Sequence, residues 1–198
     1  MADLIRNDDS SERRKESRAI AVFRLVHVAY AGDEGLARCR NISDSGMKLE
    51  LAMAVKVGDT IKVSFSSSYS FAGMVVWADG RECGVALQST IDSAAVLRLS
   101  AIEARAEQFS ALQIKSSLPA KVGFDGRVSD TMVSELTQHG MKVTYSGGFR
   151  PSSRISVMLA GKEKHGVVRW RKGDVADLVL LEPLSVAELG SFSALAAA

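Results

Sequence analysis

Cysteine is scarce in this chain. Cys39 and Cys83 are the two among 198 residues, and neither has a Cys-x-x-Cys partner. They read as half-buried reduced thiols in strands, not as a redox or metal motif. His27, His139 and His165 lack metal-ligand spacing, so no metal site is expected. No apolar run approaches the roughly 20 residues that span a bilayer. Residues 1–9 are polar and mixed in charge, without the apolar core of a signal peptide. The expectation is a soluble, cytoplasmic protein with no membrane insertion. Charge of one sign is also missing: the formal net charge is +2 with 24% charged residues. Bulk charge therefore gives no reason to expect DNA, and any anion site must come from local placement. Catalytic signatures are absent as well. No Ser/His/Asp order, paired-carboxylate motif, Walker loop or dinucleotide glycine fingerprint stands out. Asp44 and Glu50 near a turn read as solvated surface. No enzyme activity and no cofactor are expected.

What is present is a succession of short strands. Hydrophobic residues make up 46% of the chain, enough for one large core or two small ones. Residues 1–12 are rich in Asp, Ser and Arg and read as a flexible tail. Ile20 to Tyr30 is β-branched and aromatic in partial alternation; residues 31–35 read as a turn and 36–42 as the returning strand. Met47-Lys48-Leu49-Glu50-Leu51 and Ile61-Lys62-Val63-Ser64-Phe65 alternate cleanly, with one wet and one buried face. Residues 71–78 and 83–87 flank Asp79-Gly80, a dipeptide favoured in tight hairpins. Strands at this spacing predict an antiparallel barrel or sandwich, and a barrel also removes free sheet edges. The pattern changes at Ile91. Asp92 and Ser93 are good caps, and 94–113 holds strong helix formers without Gly or Pro, with Leu97, Ile102, Ala106, Phe109 and Leu112 on one predicted apolar face. This predicts a long helix that packs on the first unit, with Pro119 beyond its end. Such a helix suits an interdomain contact or a homodimer contact equally.

From about residue 119 the strand pattern returns as an echo. Gly46-Met47-Lys48-Leu49 recurs as Gly140-Met141-Lys142-Val143, and Gly73-Met74-Val75-Val76-Trp77 as Gly166-Val167-Val168-Arg169-Trp170, at an offset of roughly 93–94 residues. Ile61 to Phe65 is echoed by Ile155 to Leu159 at the same offset. The chain thus reads as two similar β units in tandem. The copies differ in polar residues: Asn41 falls opposite Glu135, and nothing before the second copy resembles the Arg-rich segment Arg13-Arg14-Lys15-Glu16-Ser17-Arg18 that precedes the first. The basic cluster Lys162, Lys164, Arg169, Arg171 and Lys172 reads as a solvated hairpin, or else as a docking patch for an acidic partner or, weakly, for nucleic acid.

Two motifs stand apart from this scaffold. Arg14-x-x-x-Arg18 lies ahead of the first strand, and Asn41-x-Ser43-x-x-Gly46 lies between two strands. Singly, each is ordinary: a solvated tail and a generic turn. Together, in this order and beside a predicted barrel, they resemble the bipartite signature of PilZ domains, bacterial receptors for cyclic di-GMP. The resemblance implies a mainly β fold of two tandem six-stranded antiparallel barrels, the second a degenerate copy. The implied units are a flexible tail 1–12, a ligand-binding barrel 13–90, a connecting helix 91–117, and a degenerate barrel 118–198 ending in a short helix.

The implied ligand chemistry is specific. Arginine's planar fork matches guanine O6 and N7 and also binds phosphate, so Arg14 and Arg18 would clamp the ligand as the tail orders around it. Arg13 adds a third guanidinium, at a position that relatives associate with an intercalated pair of ligand molecules. Asn41 offers an acceptor to the guanine amino group where the family often has Asp, Ser43 a small hydroxyl, and Gly46 room for close backbone approach. Trp77 reads as a barrel-end core residue, since Trp170 repeats it in a copy without the arginines, or as a surface that stacks on a base or ribose. The implied function is a cyclic di-GMP receptor relaying second-messenger level to an unknown downstream protein, with motility, biofilm or polysaccharide output. The alternative is a PilZ-fold protein–protein adaptor that binds no nucleotide.

Overall fold

The computed structural model describes residues 19–106, 112–145 and 147–197. The chain forms two closed six-stranded antiparallel barrels in tandem with a helix after the first. In the first barrel, strands β1 (Ile20–Tyr30), β2 (Asp33–Ile42), β3 (Gly46–Glu50), β4 (Thr60–Ser64), β5 (Ser70–Asp79) and β6 (Glu82–Leu87) close in the order β1-β2-β3-β6-β5-β4. Helix α1 (Ser93–Ala106) follows. Strands β7 (Ile114–Phe124), β8 (Arg127–Leu136), β9 (Gly140–Thr144), β10 (Arg154–Leu159), β11 (Lys162–Lys172) and β12 (Val175–Leu180) repeat the same topology. A short helix α2 (Phe192–Ala196) ends the described fold.

Alternation on each strand fills the two interiors. Val26, Val28, Leu49, Ile61, Val63, Val75 and Val85 are buried in the first core; Val122, Val133, Val143, Val157, Val168 and Leu178 are buried in the second. Each such side chain contributes roughly 1.5–3 kcal/mol relative to exposure. The turn after β1 is shorter than the sequence suggests. Ala31 (φ 52°) and Gly32 (φ 82°) make a two-residue reversal, and β2 begins at Asp33. Both residues at positive φ is the backbone of the tight hairpin turn whose twist suits antiparallel strands.

The repeat extends to the irregularities. Bulges interrupt the first barrel between Ala21 and Arg24, between Cys39 and Asn41, and between Val75 and Trp77. The second barrel has its bulges between Lys115 and Leu118, Val133 and Glu135, and Val168 and Trp170. These are equivalent positions at the sequence offset, so the repeat includes the places where each strand bends.

The helix differs from its sequence reading in two ways. Its buried face is Ser93, Val96 and Ser100, whereas Ile102, expected on the apolar side, is 54% exposed. Two of those buried positions are serines, which a search for apolar spacing passes over. Ala106 and Phe109 cannot be placed on a face: 107–111 and the Ala106 side chain lie outside the described residues. Residues 114–117, assigned to the helix, belong to β7. Ile114 is sealed in the second core and pairs with Leu136, and Ser116 Oγ donates to Val133 O at 2.7 Å; barrel closure overrides local helix preference. Pro119 lies inside β7, beyond the Lys121–Gly123 stretch that pairs with β10, where a missing N–H is tolerated.

The segment after β12 joins the two barrels. Leu36 N–H, on β2, donates to Leu189 O at 2.7 Å, and Leu36 packs into the second core, not the first. Ser191 Oγ and Ser193 N–H donate to the Asp33 carboxylate at 2.6 and 2.8 Å. A side chain at Gly35 would strike the backbone of Gly190, so glycine permits this contact. Beside it, burial tends to raise the Glu188 pKa, but hydrogen bonds from Lys164 and Ser185 outweigh it and hold the carboxyl at about 2.

Candidate functional site

The Asn41–Gly46 motif forms the end of β2 and the bend into β3. Ser43 N–H and Ser43 Oγ both donate to Gly46 O, at 2.8 and 3.2 Å, and close the bend. Asn41 sits at the bulge, and its Oδ1 accepts from Lys48 N–H at 3.1 Å. Gly46 has no positive φ; its need is space, because a Cβ there would stand 2.6 Å from Val85 O on β6. Asp44 does more than face solvent: its Oδ1 accepts from Ser93 N–H at 3.0 Å and Ser93 Oγ at 2.7 Å, tying the bend to the start of α1. Asp92 caps the same helix end, accepting from Ala95 N–H at 2.8 Å. Glu50 is likewise engaged, in an ion pair with Arg40.

Cross-strand register sets Trp77, Gly84, Lys48 and Asn41 in one row over β5, β6, β3 and β2. Trp77 is 40% exposed, which corrects its reading as a core residue. The bulge at Val75–Trp77 turns the indole outward, over Gly84, where any Cβ would collide with it. Lys48 Nζ stands 5.8 Å from the indole centroid and pairs with Glu82 at 2.7 Å. Beside this row, Arg40 lies 5.2 Å from the ring of Phe23, which is 81% exposed. The face thus offers aromatic surface, two partly exposed cations and a hydrogen-bonding bend. Sequence reasoning missed Lys48 and Gly84. Their signal was present in the alternation of β3 and in the glycine after Cys83, but their adjacency to Trp77 depends on strand order.

Arg13, Arg14 and Arg18 lie outside the described residues. Register still constrains where they attach. Ile20 pairs with Ile42 and Ala21 with Asn41, so the chain enters β1 directly beside the bend.

The second barrel keeps the bend and changes its surroundings. Thr137 N–H and Oγ1 donate to Gly140 O at 2.9 and 3.1 Å, matching Ser43 and Gly46. The equivalent row is Trp170, Asp177, Lys142 and Glu135. Arg169 Nε donates to Asp177 Oδ2 at 2.6 Å, and Lys142 Nζ pairs with Glu135 at 2.6 Å. In the basic hairpin, Lys164 pairs with Glu188 at 2.8 Å and Arg171 Nε donates to Gly173 O at 2.8 Å. Much of that cluster's charge is matched within the barrel.

Elsewhere, burial pushes the Cys39 and Cys83 thiols up to about 12 and about 11, so neither is a ready nucleophile. His27 pairs with Glu34 at 2.9 Å. Among the described residues there is no group of three or more His, Cys, Asp or Glu suited to a metal, and no helix long and apolar enough to cross a membrane. A cavity of about 540 Å³ lies between the barrels, lined by Tyr30, Met53, Lys162 and Leu184 among others, and includes none of the motif residues.

No curated protein sequence matches the chain. Among solved structures, the Borreliella burgdorferi PlzA protein in complex with c-di-GMP aligns at 11% identity and TM-score 0.37, over 82% of this chain and 86% of that one. The Bacillus subtilis inhibitor of motility MotI/DgrA aligns at 12% identity and TM-score 0.34, over 86% and 94%. Escherichia coli YcgR in complex with c-di-GMP aligns at 8% identity and TM-score 0.28, over 79% and 74%. Residues 12–104 match the PilZ domain family, a span that contains the first barrel, both motifs and most of α1, while the second barrel lies outside the match.

Proposed function

We propose that the first barrel is a receptor for cyclic di-GMP. The observation that carries this reading is the register of β1 on β2, which sets Ile20 and Ala21, at the start of β1, directly beside the Asn41–Gly46 bend. Arg14 and Arg18 would clamp guanine edges and phosphates, with Arg13 reaching a second, intercalated ligand molecule. Asn41 Oδ1 already accepts from Lys48 N–H, but a carbonyl oxygen has a second lone pair for the guanine amino group. Ser43 Oγ donates inward to Gly46 O and keeps acceptor capacity outward. Trp77, exposed over Gly84, supplies a stacking surface. Binding favours the state in which the arginine segment is ordered, so occupancy shifts a population instead of building a new state. The signal passes to a downstream protein.

Calorimetric titration of cyclic di-GMP into the chain and into Arg14→Ala and Arg18→Ala tests the reading. Each loses a charge-assisted, bidentate contact, so each is expected to bind at least roughly tenfold more weakly. Unchanged affinity in both variants ends the clamp. Absence of binding by the unmodified chain at high micromolar ligand leaves the adaptor reading in its place.

A further inference from the structure

The two rows differ in a way that bears on which barrel takes an anion. Tryptophan and lysine are kept at equivalent positions, while the neutral Gly84 and Asn41 become the carboxylates Asp177 and Glu135. In the second barrel the lysine is matched within the row, by Glu135 at 2.6 Å, and Asp177, held by Arg169 at 2.6 Å, stands where the first barrel has Gly84 under the Trp77 indole. In the first barrel, Lys48 is matched by Glu82, which stands on β6 two residues before Gly84 with a side chain 45% exposed. Lys48 therefore sits between an aromatic surface and a bend, with its partner to one side.

We propose that Lys48 contacts a ligand phosphate directly, beside an indole that lies over Gly84 because that residue has no side chain, whereas in the second barrel Glu135 takes up the equivalent lysine and Asp177 stands in the glycine's place. This inference rests on the receptor reading above. An incoming phosphate takes the ammonium from Glu82, whose side chain is 45% exposed and is left to water. A carboxylate at position 84 would both displace the indole and oppose the phosphate.

The test is calorimetric titration of cyclic di-GMP into the full chain carrying Lys48→Gln, Lys48→Arg, Gly84→Ala or Gly84→Asp, with urea midpoints confirming folding. Lys48→Gln is expected to weaken binding roughly tenfold, with Lys48→Arg restoring most of it, a rescue that a purely structural lysine would not show. Gly84→Asp is expected to bind more weakly than Gly84→Ala, the difference reporting charge and not the moved indole. Lys48→Gln at full affinity overturns the phosphate contact. Equal affinity in folded Gly84→Asp and Gly84→Ala overturns the role of charge beside the indole. An unmodified chain that fails to bind overturns the receptor reading and this inference with it; binding that none of the variants alters overturns this inference alone.

Discussion

Asn41 has two tasks on one oxygen. It satisfies Lys48 N–H at the bulge, and in the receptor reading it also meets the guanine amino group. The tasks separate by mutation. Asn41→Ala leaves the Lys48 amide without its acceptor, which costs about 1–3 kcal/mol, and it weakens the ligand as well. Asn41→Asp keeps the acceptor and adds charge to it. Urea unfolding should then stay within about 0.5 kcal/mol of the parent, while titration shows tighter cyclic di-GMP binding. Destabilisation by Asn41→Asp equal to that of Asn41→Ala would mean that the amide nitrogen, not the oxygen, is the group that matters. The neighbouring glycine shows a limit of motif reading. Gly46 reads from sequence as room for a ligand, yet its crowding comes from Val85 O at 2.6 Å, and Gly140 is crowded likewise by Leu178 O in a copy without the arginines. The signature glycine is required by barrel closure in both copies, so lost binding in a Gly46 variant reports the scaffold.

At the scale of elements, the bend and α1 form one unit. Asp44 receives two hydrogen bonds from Ser93, a side chain 1% exposed at the first turn of the helix. One turn on, Arg24 Nη1, from the β1 bulge, donates to Leu97 O at 2.7 Å and Ser100 Oγ at 3.0 Å. Asp44→Ala removes a charged acceptor and leaves the buried Ser93 hydroxyl unmatched, a loss of about 1.5–3 kcal/mol. Amide hydrogen exchange at Val96 to Ser100 should accelerate more than exchange in β4, on the far side of the closed sheet. Uniform acceleration would mean that the helix start has no stability of its own to lose. Most strands were legible because their alternation is local, as in Met47 to Leu51 and Ile61 to Phe65. The start of α1 was legible through Asp92. Its buried face was not, because Ser93 and Ser100 are polar residues matched by Asp44 and Arg24 from distant parts of the chain. The bulge that turns Trp77 outward likewise exists only once β5 has found β6.

At the scale of the whole molecule, the barrels repeat in topology but do not contribute equally to their junction. Leu36 belongs to a first-barrel strand, yet its side chain is 1% exposed within the second core, beside Leu184 and Leu189. The repeat gives no hint of this, because the equivalent of Leu36 is Asp130, a polar residue on β8. Divergence between copies thus built the junction as well as altering the outer face. Truncating Leu36 leaves a cavity among second-barrel side chains, with an expected cost of about 2–5 kcal/mol. The two tryptophans separate the barrels cleanly, since Trp77 lies in the first and Trp170 in the second. In Trp77→Phe and Trp170→Phe backgrounds, each remaining indole reports one barrel in urea. Leu36→Ala should lower the midpoint seen by Trp170 more than the midpoint seen by Trp77, although the substitution is in the first barrel. The reverse order would place the Leu36 contribution in its own barrel and reduce the junction to the hydrogen bonds at Asp33 and Leu189. Equal shifts would instead show the two barrels unfolding as one cooperative unit, so that a ligand stabilising the first barrel would also raise the midpoint of the second.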